Sequence, residues 1–175
     1  MLLLALAAGC SSDSSDSSDD AIEGLATGPA EEAGNGEAAD HTAALTDLYD
    51  RYWDALVTLE NSGELDPAVF EGIAAPPVAE QELTRVRSYA DAGLHRTGEP
   101  SVTDVTVTVD GETARVESCA SEEDWPMVDG ETVLADVVPE ELRAPHPHVV
   151  TAQLTDGVWL IDGTLPAEEA TLSCS

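Results

Sequence analysis

Two histidines, His146 and His148, stand on either side of a proline in the last third of the sequence. Residues two apart on a β-strand project from the same face of a sheet, so both imidazoles could offer a nitrogen ligand to one zinc ion. A zinc site needs at least three protein ligands, and no spacing in the sequence nominates the third. We therefore favour a polar loop that enters a strand, and a metal site is the alternative.

The motifs of the common enzyme classes are missing from the sequence. It has no GxSxG nucleophile motif, no glycine-rich phosphate loop and no metalloprotease helix. The cysteines do not form a CxxC pair, which argues against redox catalysis. We assign no catalytic residue and expect no cofactor and no bound metal.

An apolar run of leucines opens the sequence and leads to Cys10. The run is too short to span a bilayer and resembles the hydrophobic segment of a secretory signal. Ala7, Ala8 and Gly9 before the cysteine resemble the lipobox of bacterial lipoproteins, in which the thiol is alkylated with diacylglycerol and the chain is cut just before it. The resemblance implies a signal peptide at 1–9, a lipidated Cys10, and an extracytoplasmic protein anchored to the cell membrane. An incidental cysteine is the alternative.

The following segment, residues 11–40, carries nine acidic residues and no basic residue. Such a segment cannot bury enough apolar surface to offset the entropy of ordering, so we predict a disordered spacer. A flexible chain of this length spans roughly 30 Å, and self-repulsion extends it further. The expected organisation is a signal peptide, a lipidated cysteine with an acidic tether at 10–40, and one folded domain at 41–175.

The charge balance of the 175-residue chain is extreme, with 36 acidic residues, six basic residues that are all arginine, and a formal net charge of −30. This charge repels the phosphates of nucleic acids and of anionic lipids. We therefore expect no nucleic-acid partner, and a membrane contact through the lipid anchor. The charge is interpreted as a means of keeping the protein soluble, including in a salty medium, and cation binding is the alternative.

Helical spacing of apolar residues begins after Asp40, a plausible N-cap, and ends at Gly63. Two shorter helices are predicted after Pro67 and Pro77. The second half of the domain alternates apolar and polar residues, with three Asp-Gly pairs as hairpin signals between the strands. This order predicts an α+β fold, with N-terminal helices packed on one face of an antiparallel sheet. Trp125 follows acidic residues and precedes a proline, so we expect it near the surface or a pocket mouth.

The order of elements resembles the NTF2-like (cystatin-like) superfamily, in particular its small secreted actinobacterial lipoproteins. The residues that carry the resemblance are Tyr49, Tyr52 and Trp53 in the first helix, the Asp110-Gly111 hairpin, the strand from Val116 to Cys119, and the closing strand Val158-Trp159-Leu160-Ile161 with Cys174 behind it. The resemblance covers residues 41–175. It implies a curved sheet wrapped round a long helix, which leaves a conical pocket between the two.

Cys119 and Cys174 are the cysteines other than Cys10. An even pair in an exported protein indicates a disulfide. By strand parity Cys119 points with Glu117 and away from Val116, so the bridge would clip the C-terminal tail to the outside of the sheet. Two free thiols are the alternative.

The pocket is expected to bind rather than to catalyse. Tyr49, Tyr52, Trp53 and Trp159 are predicted to line it around a small apolar ligand, and an envelope protein is the other expected partner. Ketosteroid isomerases of the superfamily use a carboxylate base facing an oxyanion hole, and Tyr52 with Asp162 would be the nearest pieces here. A pocket enzyme of isomerase or hydrolase type is therefore one alternative. A structural or accessory lipoprotein with a filled cone is another.

Overall fold

The computed structural model describes residues 32–175, with side chains from Asp40 onward. The predicted signal peptide, the predicted lipidation site Cys10 and most of the predicted tether lie outside the described residues. No helix within the described range is long and apolar enough to cross a membrane.

Three helical segments come first. Helix α1 spans Glu32–Ser62, a 3-10 helix spans Pro67–Phe70, and helix α2 spans Pro76–Ala90. Helix α1 begins eight residues before Asp40, so residues 32–40, predicted as part of the disordered tether, are helical. The physical reason is cooperativity. Once one helical turn exists, each further residue adds a hydrogen bond, so the helix continues through Gly34, Asn35 and Gly36 despite their low helix propensity.

The ends of the helices follow local sequence signals. Helix α1 stops as predicted, because Gly63 takes a φ of 65° and its N–H bonds to the carbonyl of Leu59. The 3-10 helix begins with Asp66, whose carboxylate accepts a hydrogen bond from the N–H of Ala68. Helix α2 has Pro76 in its first position, where the missing N–H costs nothing.

Seven strands follow. In chain order they are β1 (Leu94–Arg96), β2 (Ser101–Asp110), β3 (Thr113–Ser121), β4 (Met127–Asp129), β5 (Thr132–Val133), β6 (His146–Thr155) and β7 (Val158–Leu165). A short helix α3 (Glu140–Arg143) precedes β6, and a 3-10 helix (Ala167–Glu169) follows β7. Four strands pair in the antiparallel order β2–β3–β6–β7, and three pair in the order β1–β4–β5.

The predicted turns all join paired strands. The Asp-Gly pairs lie between β2 and β3, between β4 and β5, and between β6 and β7. In the last of them Asp156 and Gly157 both have positive φ, 52° and 81°, as the tight two-residue turn of a hairpin requires.

The core lies between helix α1 and the four-stranded sheet. The buried residues of α1 recur at helical spacing: Leu45, Leu48, Tyr49, Tyr52, Leu56 and Leu59. They belong to one cluster with residues of β3, β6 and β7: Val116, Val150, Ala152, Trp159 and Ile161. The predicted α+β architecture, with N-terminal helices on an antiparallel sheet, is confirmed.

The C-terminal tail covers the other face of β3. A disulfide joins Cys119 to Cys174, as predicted from the number of cysteines and from strand parity. Glu117, two residues earlier on the same face, accepts hydrogen bonds from the backbone N–H groups of Thr171 and Leu172. Desolvation alone would raise the pKa of Glu117, but the hydrogen bonds from Thr171 and Arg115 outweigh it and lower the pKa. The carboxylate therefore holds the tail in its charged form.

Candidate ligand cavity

A cavity of about 400 Å³ remains between helices α1 and α2, strand β1 and the start of β6. Its apolar lining comes mainly from Trp53, Leu56, Trp125 and Leu142. Its polar lining includes three carboxylates, two guanidinium groups and two imidazoles: Glu60, Glu82, Glu122, Arg85, Arg96, His146 and His148. The lining of this cavity is more polar than the sequence predicted.

Aromatic rings stack behind one wall of this cavity. The ring of His148 lies 4.7 Å from the ring of Trp53, and it is nearly parallel to that of Tyr52 at 6.5 Å. Tyr49 packs edge-on against Trp53. Tyr49 and Tyr52 are fully buried, whereas Trp53 lines the cavity. Of the residues predicted to line the pocket, Trp53 does so, whereas Tyr49 and Tyr52 lie behind the wall, and a role in ligand binding stays a prediction.

His148 is the imidazole that the rings enclose. Its side chain keeps some accessible surface, and it lines the cavity. Nδ1 lies 2.6 Å from the hydroxyl of Tyr49. Desolvation, together with the positive charges of His146 and Arg85, lowers the pKa of His148 to about 4. The imidazole is therefore neutral at physiological pH.

The Tyr49 hydroxyl has a second partner inside the core, the Oγ of Ser118 at 2.7 Å. Burial raises the pKa of Tyr49 to about 12, so the phenol keeps its proton. The indole N–H of Trp53 lowers that pKa slightly, but it forms no hydrogen bond of regular geometry and is itself buried. Ser118, Tyr49 and His148 thus form a chain of polar groups that runs from the sheet to the cavity.

An ion-pair network forms another side of the cavity. Glu60 is 1% exposed, and its carboxylate lies 2.6 Å from Arg85 Nη2 and 2.9 Å from Arg96 Nε. The hydroxyl of Tyr89 also donates to Glu60, at 2.7 Å. Arg96 reaches further to Glu122, 2.7 Å away. A carboxylate buried to this degree is tolerated because several donors share its charge.

Glu82 is the buried carboxylate beside Tyr52. It accepts a hydrogen bond from the Tyr52 hydroxyl at 3.2 Å and pairs with Arg85 Nε at 2.8 Å. Burial, and then the charge of Glu82, raises the pKa of Tyr52, so the phenol is a donor here and not a base. Glu82 is also held in the ion pair with Arg85. Tyr52 and Glu82 therefore do not form an unpaired acid and base for catalysis.

Several residues do not lie where the sequence predicted. Asp162 is exposed at a bulge of β7, and its carboxylate accepts a hydrogen bond from Thr151 on the outside of the sheet. It is therefore not a partner of Tyr52. Trp159 does not line the cavity. It is buried, and its indole N–H donates to His41 in the N-terminal half of helix α1.

Trp125 is buried rather than near the surface, with 2% of its area exposed, although it does line the cavity. The guanidinium of Arg96 stacks on one face of the Trp125 ring, 4.3 Å from its centroid. The indole N–H of Trp125 donates to Asn61. The acidic residues before Trp125 suggested a surface position, but one of them, Glu122, pairs with the guanidinium of Arg96. His146 and His148 do share a face, as their spacing predicted, and no group of three metal-ligating side chains is found between residues 40 and 175.

No protein-family model and no curated protein matches the sequence. Among solved structures, the Kfla4162 protein of Kribbella flavida has 14% identity over 74% of this chain and 92% of its own, with a TM-score of 0.48. An NTF2-like protein with a cystatin-like fold from Novosphingobium aromaticivorans has 13% identity over 83% and 94%, with a TM-score of 0.45. A protein of the NTF2-like family from Streptomyces avermitilis has 11% identity over 74% and 99%, also at 0.45.

The assignment of the fold rests on this chain's own elements and their pairing: a long N-terminal helix packed on an antiparallel sheet of four strands, with a cavity between them. No site residue is carried over from these proteins.

Proposed function

We propose that this chain is a lipid-anchored, extracytoplasmic protein whose domain binds a small molecule in the cavity between α1, α2 and the sheet. The observation that carries the proposal is the cavity itself, of about 400 Å³, with Trp53 and Leu56 in its wall and polar groups opposite. A concave site with an apolar wall and a few fixed polar groups is the usual form of a small-molecule site.

Binding without turnover is favoured because the charged groups are already committed to one another. Glu60 is shared by two arginines and a tyrosine, and Glu82 is held by Arg85 and Tyr52. A general base works best when its pKa lies near the working pH, and the pKa of His148 is about 4. Isomerase chemistry would need a carboxylate that faces the substrate without another partner, and Glu60 and Glu82 are each held by an arginine and a tyrosine.

A blocking variant tests the binding site. Ala167 is exposed and lines the cavity, so Ala167→Phe should close its opening without entering the core. The matched control is Ala92→Phe, on an exposed turn after α2 that does not line the cavity. Tryptophan fluorescence would be followed during titration with borneol, a compact alcohol without near-ultraviolet absorbance. We expect a saturable change in the wild type and in the control, and none in Ala167→Phe. An unchanged response in Ala167→Phe would place the site elsewhere.

The location is a separate part of the proposal. The apolar run before Cys10 resembles a lipoprotein signal, and the disulfide fits an oxidising compartment. Expressed in a bacterial host, the protein should sediment with membranes, because lipoprotein processing supplies the two or more acyl chains that stable anchoring needs. Cys10→Ser should abolish processing and anchoring. A Cys10→Ser variant that is processed and membrane-bound like the wild type would show that the lipoprotein assignment is wrong.

A further inference from the structure

The geometry points to the chemical class of the ligand: we infer that the cavity selects a small, uncharged molecule with a carbonyl or hydroxyl oxygen, which accepts a hydrogen bond from Nε2–H of His148. This inference rests on the proposed binding function. It names the group of the protein that recognises the ligand and the atom through which it does so.

The position of the proton on His148 follows from counting donors along the buried chain. Tyr49 has one O–H proton and two neighbours, Ser118 Oγ and His148 Nδ1. If Tyr49 donated to Ser118, the Ser118 proton would need another acceptor. Ser118 is fully buried, and no second acceptor is found for it among residues 40–175. A buried donor without a partner costs about 1–3 kcal/mol.

The opposite direction gives both hydroxyl protons, those of Ser118 and Tyr49, an acceptor. Ser118 donates to the oxygen of Tyr49, and Tyr49 donates to Nδ1 of His148. A neutral imidazole carries one proton, and with Nδ1 as the acceptor that proton must sit on Nε2. Burial keeps the pKa of Tyr49 at about 12 and that of His148 at about 4, so both groups hold these forms across the neutral range.

Nε2 is the other ring nitrogen of His148, which lines the cavity. It has no hydrogen-bond partner within the described residues, and it is not among the fully buried polar atoms. A donor that the protein fixes in direction and in protonation state selects an acceptor on the ligand. A hydrocarbon would leave it unpaired, whereas a carbonyl or hydroxyl oxygen would pair with it.

The charges around the cavity decide between a neutral acceptor and an anion. Three carboxylates line the cavity, from Glu60, Glu82 and Glu122, against two guanidinium groups. Both arginines are already paired with these carboxylates. The formal charge of the whole chain is −30. An anionic ligand would meet three carboxylates whose arginine partners are already engaged, and the imidazole of His146 alone would not offset their repulsion, so the acceptor should be uncharged.

The first part of the test measures the tautomer of His148 in the full-length protein with its disulfide intact. Long-range proton–nitrogen NMR correlations distinguish a protonated ring nitrogen from an unprotonated one, and His148→Gln assigns the signals. We expect a proton on Nε2 at pH 7. In Tyr49→Phe, which removes the donor to Nδ1, both tautomers should be populated. Tyr52→Phe is the matched control, because the Tyr52 hydroxyl bonds to Glu82 instead. A proton on Nδ1 in the wild type would overturn the inference, with no variant required.

The second part compares ligands that share one skeleton: borneol, camphor, bornane and bornylammonium. We expect borneol and camphor to bind about tenfold more tightly than bornane, which is the scale of one hydrogen bond. His148→Phe should remove that preference while keeping an aromatic ring at the position, and Tyr52→Phe should retain it. Equal binding of borneol and bornane by the wild type would overturn the ligand class but leave the binding function standing. Tightest binding of bornylammonium, unchanged in His148→Phe, would also overturn it. No binding of any of the four would overturn both.

Discussion

The surroundings of His148 set the pH at which its imidazole can take up a proton. In the unfolded chain its pKa is close to the ordinary value of 6.5, whereas desolvation first, and then nearby positive charge, lowers the folded-state pKa to about 4. Below pH 6.5 the unfolded chain therefore binds a proton that the folded chain rejects. The stability contributed by the neutral imidazole is full above pH 6.5 and is lost as the pH falls toward 4.

We predict that replacing His148 flattens this pH dependence. The shift corresponds to a loss on the order of 3 kcal/mol between pH 7 and pH 4 in the wild type. His148→Gln should show a smaller loss over the same range, because glutamine does not titrate. Urea unfolding at pH 7, 5.5 and 4 measures the difference. His95→Gln, at a half-buried histidine of β1, is the control and should follow the wild type. A His148→Gln variant with the wild-type slope would contradict the prediction.

Glu60 shows how much a buried charge depends on its partners. Its carboxylate is 1% exposed and shared by Arg85, Arg96 and Tyr89. Removing one member of a buried ion pair leaves the others uncompensated, which typically costs 3–5 kcal/mol. Glutamine still offers one acceptor, so we expect Glu60→Gln to lower the free energy of unfolding by about 3 kcal/mol.

Denaturant unfolding at pH 7 measures this cost. Asp54→Asn is the matched control, because Asp54 lies on the same helix with its side chain exposed. The control should change stability by less than about 0.5 kcal/mol. Equal effects of the two substitutions would mean that the Glu60 network contributes nothing specific to stability.

At the level of elements, the C-terminal tail is joined to the sheet at two points on β3. Cys119 bonds to Cys174, 55 residues away in sequence, and Glu117 binds the backbone of Thr171 and Leu172. The bridge stabilises the fold chiefly by restricting the unfolded chain. For a loop of this length the chain-entropy model gives roughly 4 kcal/mol.

We therefore expect the double variant Cys119→Ser/Cys174→Ser to lose a few kcal/mol in urea unfolding. Reductant should lower the stability of the wild type by a similar amount and should leave the double variant unchanged. The carboxylate of Glu117 holds the tail in the variant and in the reduced wild type alike, so the two losses should be equal. A reduced wild type as stable as the oxidised protein would contradict the prediction.

The sequence predicted the elements whose signals are local. Alternation and the Asp110-Gly111 turn indicated the hairpin of β2 and β3, and strand parity placed Cys119 on the outer face. The first helix was predicted from apolar spacing, but its start was set too late, because residues 32–39 contain no large apolar residue and so show no apolar pattern. In the sheet of β1, β4 and β5 the Asp129-Gly130 turn was predicted, but β1 and its pairing with β4 were not, since a strand of three residues shows no period.

The polar part of the cavity could not be predicted, because it depends on contacts between distant positions. Glu60 and Arg96 are each charged, so their types alone indicate an exposed position, and only their pairing allows them to be buried. The signal at His148 was present in its spacing from His146, but a pair of histidines is equally typical of a metal site. Its partner Tyr49 lies 99 residues earlier, beyond any local pattern.

At the scale of the whole molecule, the net charge of −30 acts against the compact state. Like charges lie closer together in the folded protein than in the unfolded chain, so their repulsion destabilises the fold. Salt screens this repulsion, and the screening length falls from about 30 Å at 0.01 M to about 10 Å at 0.1 M. Salt also weakens ion pairs. However, the exposed pair Arg51–Asp47 is worth little, and the pairs of Glu60 are shielded by burial.

We therefore predict that the protein becomes more stable as sodium chloride is raised from about 0.01 to 0.2 M, the range over which screening changes most. Thermal unfolding followed by circular dichroism measures the midpoint at each concentration. Replacing four exposed acids by their amides (Glu64→Gln, Glu80→Gln, Asp91→Asn and Glu99→Gln) should raise the midpoint at low salt and reduce its salt dependence. Sucrose, which stabilises folded states without screening charge, serves as the control and should shift both proteins equally. A midpoint that stays constant or falls with salt would show that the acidic surface imposes no net repulsion on the fold.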